Sequence, residues 1–207
     1  MTQKRCNVAV LASGTGSNFQ AIVEACRRDD YPARVVCLVT DNPDAEALDI
    51  ARRFEVAAHV VHAAPKKAGL PEPAETKIVS LCADHSVDLV ALAGFMRILS
   101  GPLLSGFEGR IMNIHPSLLP SFKGLHAAKQ ALDYGAKVTG CTVHFVDRTV
   151  DGGAIILQAC VEVADGDDEE SLLQKIHEQE YRTYVRAIEL YALDRLRIQG
   201  RRVMIAG

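Results

Sequence analysis

Two residues that could bind an oxyanion and move a proton stand two positions apart in the segment 113–120, which reads Asn-Ile-His-Pro-Ser-Leu-Leu-Pro. Asn113 offers neutral amide hydrogens, and His115 offers an imidazole that titrates near neutral pH. Because side chains alternate along a strand, we expect both to point to the same side of a sheet. The pair would suit an oxyanion hole beside a general acid or base. The alternative is a histidine at a strand end that makes only structural hydrogen bonds.

An acidic residue that could serve this pair is Asp151, in the segment 151–153, Asp-Gly-Gly. Asp-Gly between two strand patterns is a strong hairpin signal, so the segment by itself predicts a turn. If that turn folds over the same sheet edge, Asp151 would face His115. Its charge would then favour the protonated imidazole, and the carboxylate could accept a proton in turn.

The segment 13–18, Ser-Gly-Thr-Gly-Ser-Asn, lies between a predicted strand and a predicted helix. Backbone N–H groups and the positive end of the helix dipole make such a loop an anion site, and glycine lets a phosphate approach the main chain. A dinucleotide-binding loop would have its third glycine at about position 19, where this chain has Phe19. A single phosphate therefore fits better than a pyrophosphate. A tight turn with Ser17 or Asn18 as the helix N-cap would explain the same residues.

A metal site is a third possibility, since the chain contains three imidazoles and a carboxylate that could act as ligands: His115, His126, His144 and Asp151. Their spacing matches no common zinc motif. His59 and His62 are an equally weak pair, because residues i and i+3 of a strand face opposite ways. We therefore expect no metal.

The segment 94–99, Gly-Phe-Met-Arg-Ile-Leu, is too hydrophobic for an ordinary surface loop. It predicts either buried packing or the apolar wall of a pocket for a flat aromatic ligand, with main-chain groups as polar contacts. In the last predicted helix, Glu180 is by default part of a solvated polar face.

The elements that must position these residues begin with five apolar runs, at 7–12, 35–40, 59–62, 89–93 and 110–114, which we interpret as strands. Helical patterns separate them, first with a stripe at positions 19, 22, 23 and 26 and then at 45–54 and 73–85. Strands that are apolar throughout and joined by helices predict a parallel sheet covered on both faces, a Rossmann-like wound α/β sheet.

The pattern changes after a further predicted helix at 125–134. The segments 138–146 and 154–163 predict an antiparallel hairpin, and a long final helix follows at 169–193. A chain of 207 residues is of the length of one domain.

Composition excludes several classes of partner. The chain has 23 Lys plus Arg against 26 Asp plus Glu, with no basic run longer than the pair at positions 4 and 5, so we expect no nucleic acid. The longest uncharged apolar stretch, 89–96, is far shorter than the ~20 residues that span a bilayer, so we expect no membrane. Six cysteines without a Cys-x-x-Cys pair predict reduced, buried thiols and a cytoplasmic protein.

Taken in order, these segments resemble the folate-dependent glycinamide ribonucleotide formyltransferases of purine synthesis. The resemblance covers nearly the whole chain in the right order, and the matching segments are 13–18, 93–99, 113–120, 124–126, 142–145 and 150–153. The resemblance implies a Rossmann-like wound, mostly parallel sheet with a C-terminal antiparallel hairpin and a long final helix. It also implies a single formyltransferase domain over 1–207, with a phosphate-binding half at about 1–100 and a catalytic and folate-binding half at about 101–207.

The resemblance further implies individual roles. The catalytic trio would be Asn113, His115 and Asp151, supported by His126 and His144. The substrate phosphate would be bound by Gly16, Ser17 and Asn18, and the rest of that substrate by His177 and Glu180. The folate would lie against Met96, Arg97, Ile98, Leu99, Asn113, Asp147, Thr149, Val150 and Asp151.

The implied reaction is direct transfer of the formyl group of 10-formyltetrahydrofolate, a co-substrate, to the amine of phosphoribosyl glycinamide through a tetrahedral intermediate, without a metal. The products are formylglycinamide ribonucleotide and tetrahydrofolate, and the enzyme would be a cytoplasmic monomer or homodimer. The family often has a basic residue before the third helix that contacts the folate tail. Here the segment 69–73 reads Gly-Leu-Pro-Glu-Pro, so the candidate replacements are Lys66, Lys67 and Lys77.

Other functions remain to be compared. Formyltetrahydrofolate deformylase has a similar core but an additional N-terminal domain, whereas here a strand is predicted from about Cys6. The formyltransferase that acts on initiator methionyl-tRNA has a C-terminal RNA-binding domain, whereas here the chain ends soon after the predicted last helix; we therefore expect neither. A non-catalytic phosphoribosyl-ligand sensor would need only the segment 13–18. A zinc hydrolase would need metal on His115, His126 and Asp151.

Overall fold

The computed structural model of the protein describes residues 4–63, 69–99 and 101–207. The chain divides into two compact units, Met1–Met112 and Asn113–Gly207. Two of the three lysines proposed to contact the folate tail, Lys66 and Lys67, lie outside the described residues.

The first unit is a parallel sheet whose strands are connected by helices. Its strand order is β3-β2-β1-β4, with β1 parallel to both β2 and β4, and β2 parallel to β3. The order reverses between β1 and β4, where wound sheets open a ligand-binding crevice at the carboxyl ends of the strands. The elements are β1 (Cys6–Leu11), α1 (Ser17–Cys26), β2 (Ala33–Thr40), α2 (Ala47–Arg53), β3 (Ala57–Val60), α3 (Glu72–Asp84), β4 (Leu89–Leu92) and α4 (Pro102–Gly106).

The apolar runs form these strands because helices cover them. All residues of β1 and β4 are buried, as expected of central strands in a parallel sheet. The predicted stripe on α1 is its buried face, made of Phe19, Ile22, Val23 and Cys26. The next two helices begin and end within two residues of the predicted bounds, and β3 begins two residues earlier than predicted.

Strand β5 (Ile111–His115) begins in the first unit and ends in the second. The second unit continues with α5 (Ala127–Tyr134), β6 (Val138–Phe145), β7 (Ile155–Glu162), α6 (Glu169–Ala192), β8 (Leu196–Gln199) and β9 (Arg202–Ile205). Strands β6 and β7 form the predicted antiparallel hairpin, and α6 packs against both. A capping box begins α6: Asp168 accepts from Ser171 N, and the Ser171 hydroxyl accepts from Asp168 N.

The predicted fold class is confirmed, because parallel strands, the antiparallel hairpin and the long helix are all present. The prediction missed α4 and the hairpin of β8 and β9, so α6 is not the last element. The pairs Leu196–Ile205 and Ile198–Val203 flank a turn at Gly200, whose φ is 61°. Apolar residues alternating around a glycine are a hairpin signal that the sequence did contain.

All six cysteines are free thiols, and five are buried, as predicted. Burial raises the pKa of the Cys26 and Cys82 thiols to about 12. Cys160 is exposed, so the prediction is wrong for this residue, which lies on the solvent side of β7. Among the described residues, no helix is both long and apolar enough to span a membrane.

Candidate active site

The segment 13–18 forms the turn from β1 into α1. Gly16 is the N-cap of α1, with a left-handed φ of 76°. A Cβ at this position would lie 2.8 Å from Ala47 Cβ, so the turn requires glycine. The alternative interpretation, with Ser17 or Asn18 as N-cap, is wrong. Among the described residues, no side chain caps the start of α1. Backbone N–H groups at an uncapped helix start are the ones that bind anions.

The segment 96–99 follows β4 in the same unit. Met96 and Ile98 are 61% and 44% exposed, whereas Leu99 is buried. Arg97 is largely buried, and its Nε donates to Asp41 Oδ2 at 2.5 Å. Exposed apolar side chains beside a charge-compensated guanidinium give a surface on which a flat ligand could pack.

In the second unit, side chains from β5, β6 and the loop after β6 converge. His115 Nδ1 lies 3.5 Å from Asp151 Oδ2, and His144 Nε2 lies 3.9 Å from Asp151 Oδ1. Asn113 Nδ2 lies 3.2 Å from His144 Nε2. Asn113 and His115 thus share one side of β5, as alternation predicts. We call Asn113, His115, His144 and Asp151 the Asp151 cluster.

His115 has an acceptor beside each ring nitrogen. Its Nε2 lies 2.9 Å from the carbonyl oxygen of Phe122, which can only accept, so Nε2 carries a hydrogen and donates it. Its Nδ1 faces the Asp151 carboxylate. An imidazolium would donate to both groups, and the neutral ring would present a basic nitrogen. Because Nε2 carries a hydrogen, Nδ1 is the nitrogen that could exchange a hydrogen bond or a proton with Asp151.

The loop after His115 is fixed to the β6–β7 hairpin. Thr142 Oγ1 donates to Ser117 O at 2.6 Å and accepts from Leu119 N at 3.0 Å. Gln158 Nε2 donates to Leu119 O at 3.0 Å. Because Thr142 is fully buried, these bonds are shielded from water and hold the loop beside His115.

His144 is buried, and its hydrogen bonds define which nitrogen carries the hydrogen. Nδ1 lies 2.9 Å from Phe145 O and donates to it, so Nε2 of the neutral ring accepts from Asn113. Burial lowers the pKa of His144 from its ordinary value of 6.5. A neutral His144 therefore orients the Asn113 amide and leaves the second amide hydrogen for another acceptor.

Asp151 is held from two sides. Its backbone is left-handed, with φ 48°, and its Oδ2 accepts from Gly124 N at 2.8 Å. Its side chain is 11% exposed. The segment 151–153 is therefore part of a turn, as its sequence predicts, and it also brings a carboxylate to His115.

The two glycines after Asp151 are required by close packing. A Cβ on Gly152 would lie 2.6 Å from Thr149 Cγ2, and a Cβ on Gly153 would overlap the Phe145 carbonyl oxygen.

The preceding loop is exposed at Asp147, Thr149 and Val150, and Asp147 Oδ1 accepts from Thr149 N at 2.7 Å. The loop is thus ordered by its own hydrogen bond and open to a ligand.

His126 lies outside the Asp151 cluster. Its side chain is 73% exposed, and its Nδ1 lies 3.5 Å from Glu169 Oε1. The expected support from this imidazole is not seen among its contacts. Within the described residues, no group of three or more His, Cys, Asp or Glu side chains has the arrangement of a metal site.

Glu180 lies on α6 and is 3% exposed, so the prediction that it belongs to a solvated face is wrong. Its Oε2 lies 4.0 Å from Nε2 of His177, one helical turn earlier. His177 stacks on Tyr181 with ring centroids 6.3 Å apart, and burial lowers the pKa of His177. A buried carboxylate beside a neutral imidazole makes a polar site within the second unit.

Sequence interpretation missed four groups that order these sites. Asp41 directly follows β2, and its place at a strand's carboxyl end was a usable signal. Thr142 is a hydroxyl in an apolar strand pattern, which indicates a buried hydrogen bond. Phe122 O and Gly124 N belong to the main chain, so their residue types carry no signal.

A comparison with protein families covers most of the chain. The model of the formyl transferase family matches residues 6–188, from β1 into the last turns of α6. The chain belongs to the formyl transferase family. The matched region contains the segment 13–18, the Asp151 cluster and Glu180.

Curated relatives fall into two kinds. The phosphoribosylglycinamide formyltransferase of Mycobacterium tuberculosis is 43% identical over 94% of this chain and 88% of its own length. The trifunctional purine biosynthetic protein adenosine-3 of Drosophila melanogaster is 44% identical over 92% of this chain. The chain spans only 14 to 19% of the length of such trifunctional relatives.

Solved structures share the fold. Glycinamide ribonucleotide transformylase 1 from Symbiobacterium toebii superposes with a TM-score of 0.92 at 48% identity, over 98% of this chain and 95% of its own. A formyltetrahydrofolate deformylase from Pseudomonas syringae has a TM-score of 0.91 at 25% identity, over 99% of this chain and 67% of its own. The fold thus serves a transformylase and a deformylase, and sequence identity is higher to the transformylase.

Proposed function

We propose that this formyl transferase moves the formyl group of 10-formyltetrahydrofolate to the amine of phosphoribosyl glycinamide. The products are formylglycinamide ribonucleotide and tetrahydrofolate, a step of purine synthesis. The observation that carries the proposal is the Asp151 cluster, which combines an oriented amide donor, a titratable imidazole and a carboxylate. These are the groups that acyl transfer to an amine requires.

The proposed catalytic residues are Asn113, His115 and Asp151, with His144 as a positioning residue. The amine attacks the formyl carbon, and the carbonyl oxygen becomes an oxyanion. The second amide hydrogen of Asn113 and the Nε2–H of protonated His115 stabilise it, with Nε2 exchanging the Phe122 carbonyl for the oxyanion. The Nδ1–H of the protonated ring faces the Asp151 carboxylate, whose Oδ2 lies 3.5 Å from Nδ1.

The proton balance of the transfer follows from the same groups. The attacking amine nitrogen loses one proton as its bond to carbon forms, and Asp151, whose Oδ2 lies 3.5 Å from His115 Nδ1, accepts it. The folate nitrogen gains one proton as its bond to carbon breaks. Asp151 passes the proton between the two nitrogens, directly or through water, and ends the cycle unchanged. No metal is needed for this sequence of steps.

For phosphoribosyl glycinamide, the proposed phosphate site is the uncapped start of α1 at Gly16, Ser17 and Asn18. The buried Glu180 and its neighbour His177 would contact the rest of this substrate. A single phosphate met by backbone amides also fits the near-neutral net charge of −3.

For the folate, the proposed contacts are apolar side chains and main-chain groups of the segment 96–99 and of the loop before Asp151. Met96 and Ile98 supply exposed apolar surface, and the loop before Asp151 is open to solvent. The proposed set is Met96, Arg97, Ile98, Leu99, Asn113, Asp147, Thr149, Val150 and Asp151. Among the described residues, Lys77 of α3 is the candidate for contact with the folate tail.

The proposed partners are these two small molecules, with neither nucleic acid nor membrane, and the proposed enzyme is a cytoplasmic monomer or homodimer. Formyltetrahydrofolate deformylase is the second candidate, because a deformylase shares the fold over 99% of this chain. The experiment is to supply formyltetrahydrofolate with and without phosphoribosyl glycinamide and to follow tetrahydrofolate release. We expect release only with the amine. Equal release without it would identify a deformylase and overturn the proposal.

A further inference from the structure

Asp41 lies directly after β2, and its carboxylate bridges two loops of the first unit. Its Oδ1 accepts from Ser13 Oγ at 2.5 Å, and its Oδ2 accepts from Arg97 Nε at 2.5 Å. The Asp41 side chain is 5% exposed and the Arg97 side chain 14%. One buried carboxylate thus holds both the segment 13–18 and the segment 96–99, for which the proposed function gives different substrates.

Ser13 extends this link to the main chain. Its hydroxyl donates to Asp41 and accepts from Met96 N at 3.0 Å. Its own N–H donates to Gly94 O at 3.1 Å, and Asn42 Nδ2 donates to Ser13 O at 3.0 Å. The two loops therefore share one set of hydrogen bonds, completed by Asp41. We call Ser13, Asp41, Met96 and Arg97 the Asp41 network.

Burial gives this ion pair more influence than an exposed pair has. Exposed ion pairs contribute little because water screens them, whereas removing one partner of a buried pair leaves an uncompensated charge. Loss of the Asp41 charge would therefore weaken the anchor of Arg97. Loss of its oxygens would also release Ser13, and through Ser13 the main chain at Met96.

We propose that Asp41 is a positioning residue for both substrates, setting the spacing between the phosphate-binding loop 13–18 and the folate-binding segment 96–99. The inference rests on the proposed function. Asp41 is hydrogen-bonded to Ser13 and Arg97, whereas the proposed transfer is performed by other residues, those of the Asp151 cluster. Loosening the Asp41 network will therefore weaken binding of the two substrates together and leave the chemical step at saturation largely intact.

The direct test is Asp41→Asn. Asparagine has nearly the same size, and it can accept from Arg97 through Oδ1 and donate to Ser13 through Nδ2, so the geometry survives while the charge is lost. The matched control is Asp44→Asn, which removes an exposed carboxylate from the same loop. For Asp41→Asn we expect KM to rise about tenfold for both substrates, the scale of a lost charge-assisted hydrogen bond. The kcat and its pH profile will stay close to those of the wild type.

A purely structural role gives a different result, because a smaller folded fraction lowers kcat per total enzyme and leaves KM unchanged. That pattern, or unchanged KM for either substrate, overturns the proposal.

If Asp41→Asn fails to fold, Ser13→Ala decides, since it removes the hydroxyl bridge and keeps the ion pair. We expect the same joint rise in KM, and unchanged values overturn the inference. Failure of the proposed function is separate: wild type and Asp44→Asn would then form no formylglycinamide product.

Discussion

His144 Nε2 accepts a hydrogen bond from Asn113 Nδ2 at 3.2 Å, and His144 can do so because its other nitrogen donates to Phe145 O. A main-chain carbonyl on β6 therefore decides the tautomer of one histidine. That tautomer decides which end of the Asn113 amide turns toward the ring. The donor role proposed for Asn113 depends on a residue that touches no reacting atom.

Replacing His144 by leucine tests this dependence. The change removes the acceptor but keeps an apolar side chain in a buried position, so the Asn113 amide loses its orientation. We expect kcat to fall by up to ~10²–10³, the usual cost of one oxyanion donor. The control is His126→Gln, at an exposed ring that lies outside the Asp151 cluster. Steady-state rates of folded His144→Leu equal to those of the control would refute the positioning role.

The proposed proton carrier is tested by Asp151→Asn. The amide oxygen can still accept from Gly124 N, so the turn will form and the melting temperature will change little. The uncharged group cannot take the amine proton, and it lacks the carboxylate charge that faces Nδ1 of His115. We expect turnover to fall by ~10²–10⁴, the range of general acid–base catalysis. Asp165→Asn, at a fully exposed ion pair with Lys137, is the control. Near-normal turnover of Asp151→Asn would remove Asp151 from the mechanism.

Local rules in the sequence could place part of the Asp151 cluster. Side-chain alternation put Asn113 and His115 on one side of β5. Asp151 was predicted from its own segment only as part of a turn, and its role beside His115, like the support from His144, came from the family resemblance. The rules were weaker where a contact depends on tertiary packing. Nothing in a helical pattern distinguishes the buried Glu180 from an exposed neighbour. The Phe122 carbonyl is supplied by a backbone path and not by a residue type.

The glycine loop illustrates both cases. Its composition predicted an anion site or a turn capped by Ser17 or Asn18, and the structure excludes those two caps by showing that Gly16 is the N-cap. The reason is a distant contact, because Gly16 packs against Ala47 of α2. A side chain would fit neither the left-handed backbone nor that space, and sequence spacing alone does not contain this information.

Gly16→Ala is therefore expected to destabilise the first unit and to impair phosphate binding. A left-handed backbone costs an L-residue about 1–2 kcal/mol, and the overlap with Ala47 adds about 1–3 kcal/mol. Gly14→Ala is the matched control, because its Cβ would meet no atom within 4 Å. Urea unfolding compares the two variants. Equal free energies of unfolding for both would show that the close approach to Ala47 is not what requires glycine at position 16.

Protein stability should fall on mild acidification because of two histidines of the second unit, the buried His144 and the partly exposed His177. Burial lowers the pKa of His144 and of His177 from the ordinary 6.5, so the unfolded chain binds protons at a higher pH than the folded protein does. The stability that these neutral histidines contribute to the folded protein is complete above about pH 6.5. It is lost as the pH falls through their lowered pKa values. We expect the free energy of unfolding, measured in urea, to decrease between about pH 7 and pH 5. His144→Leu removes one of these groups and will make the decrease shallower. An unchanged pH dependence in that variant would mean that the protonation of His144 does not differ between the folded and unfolded states.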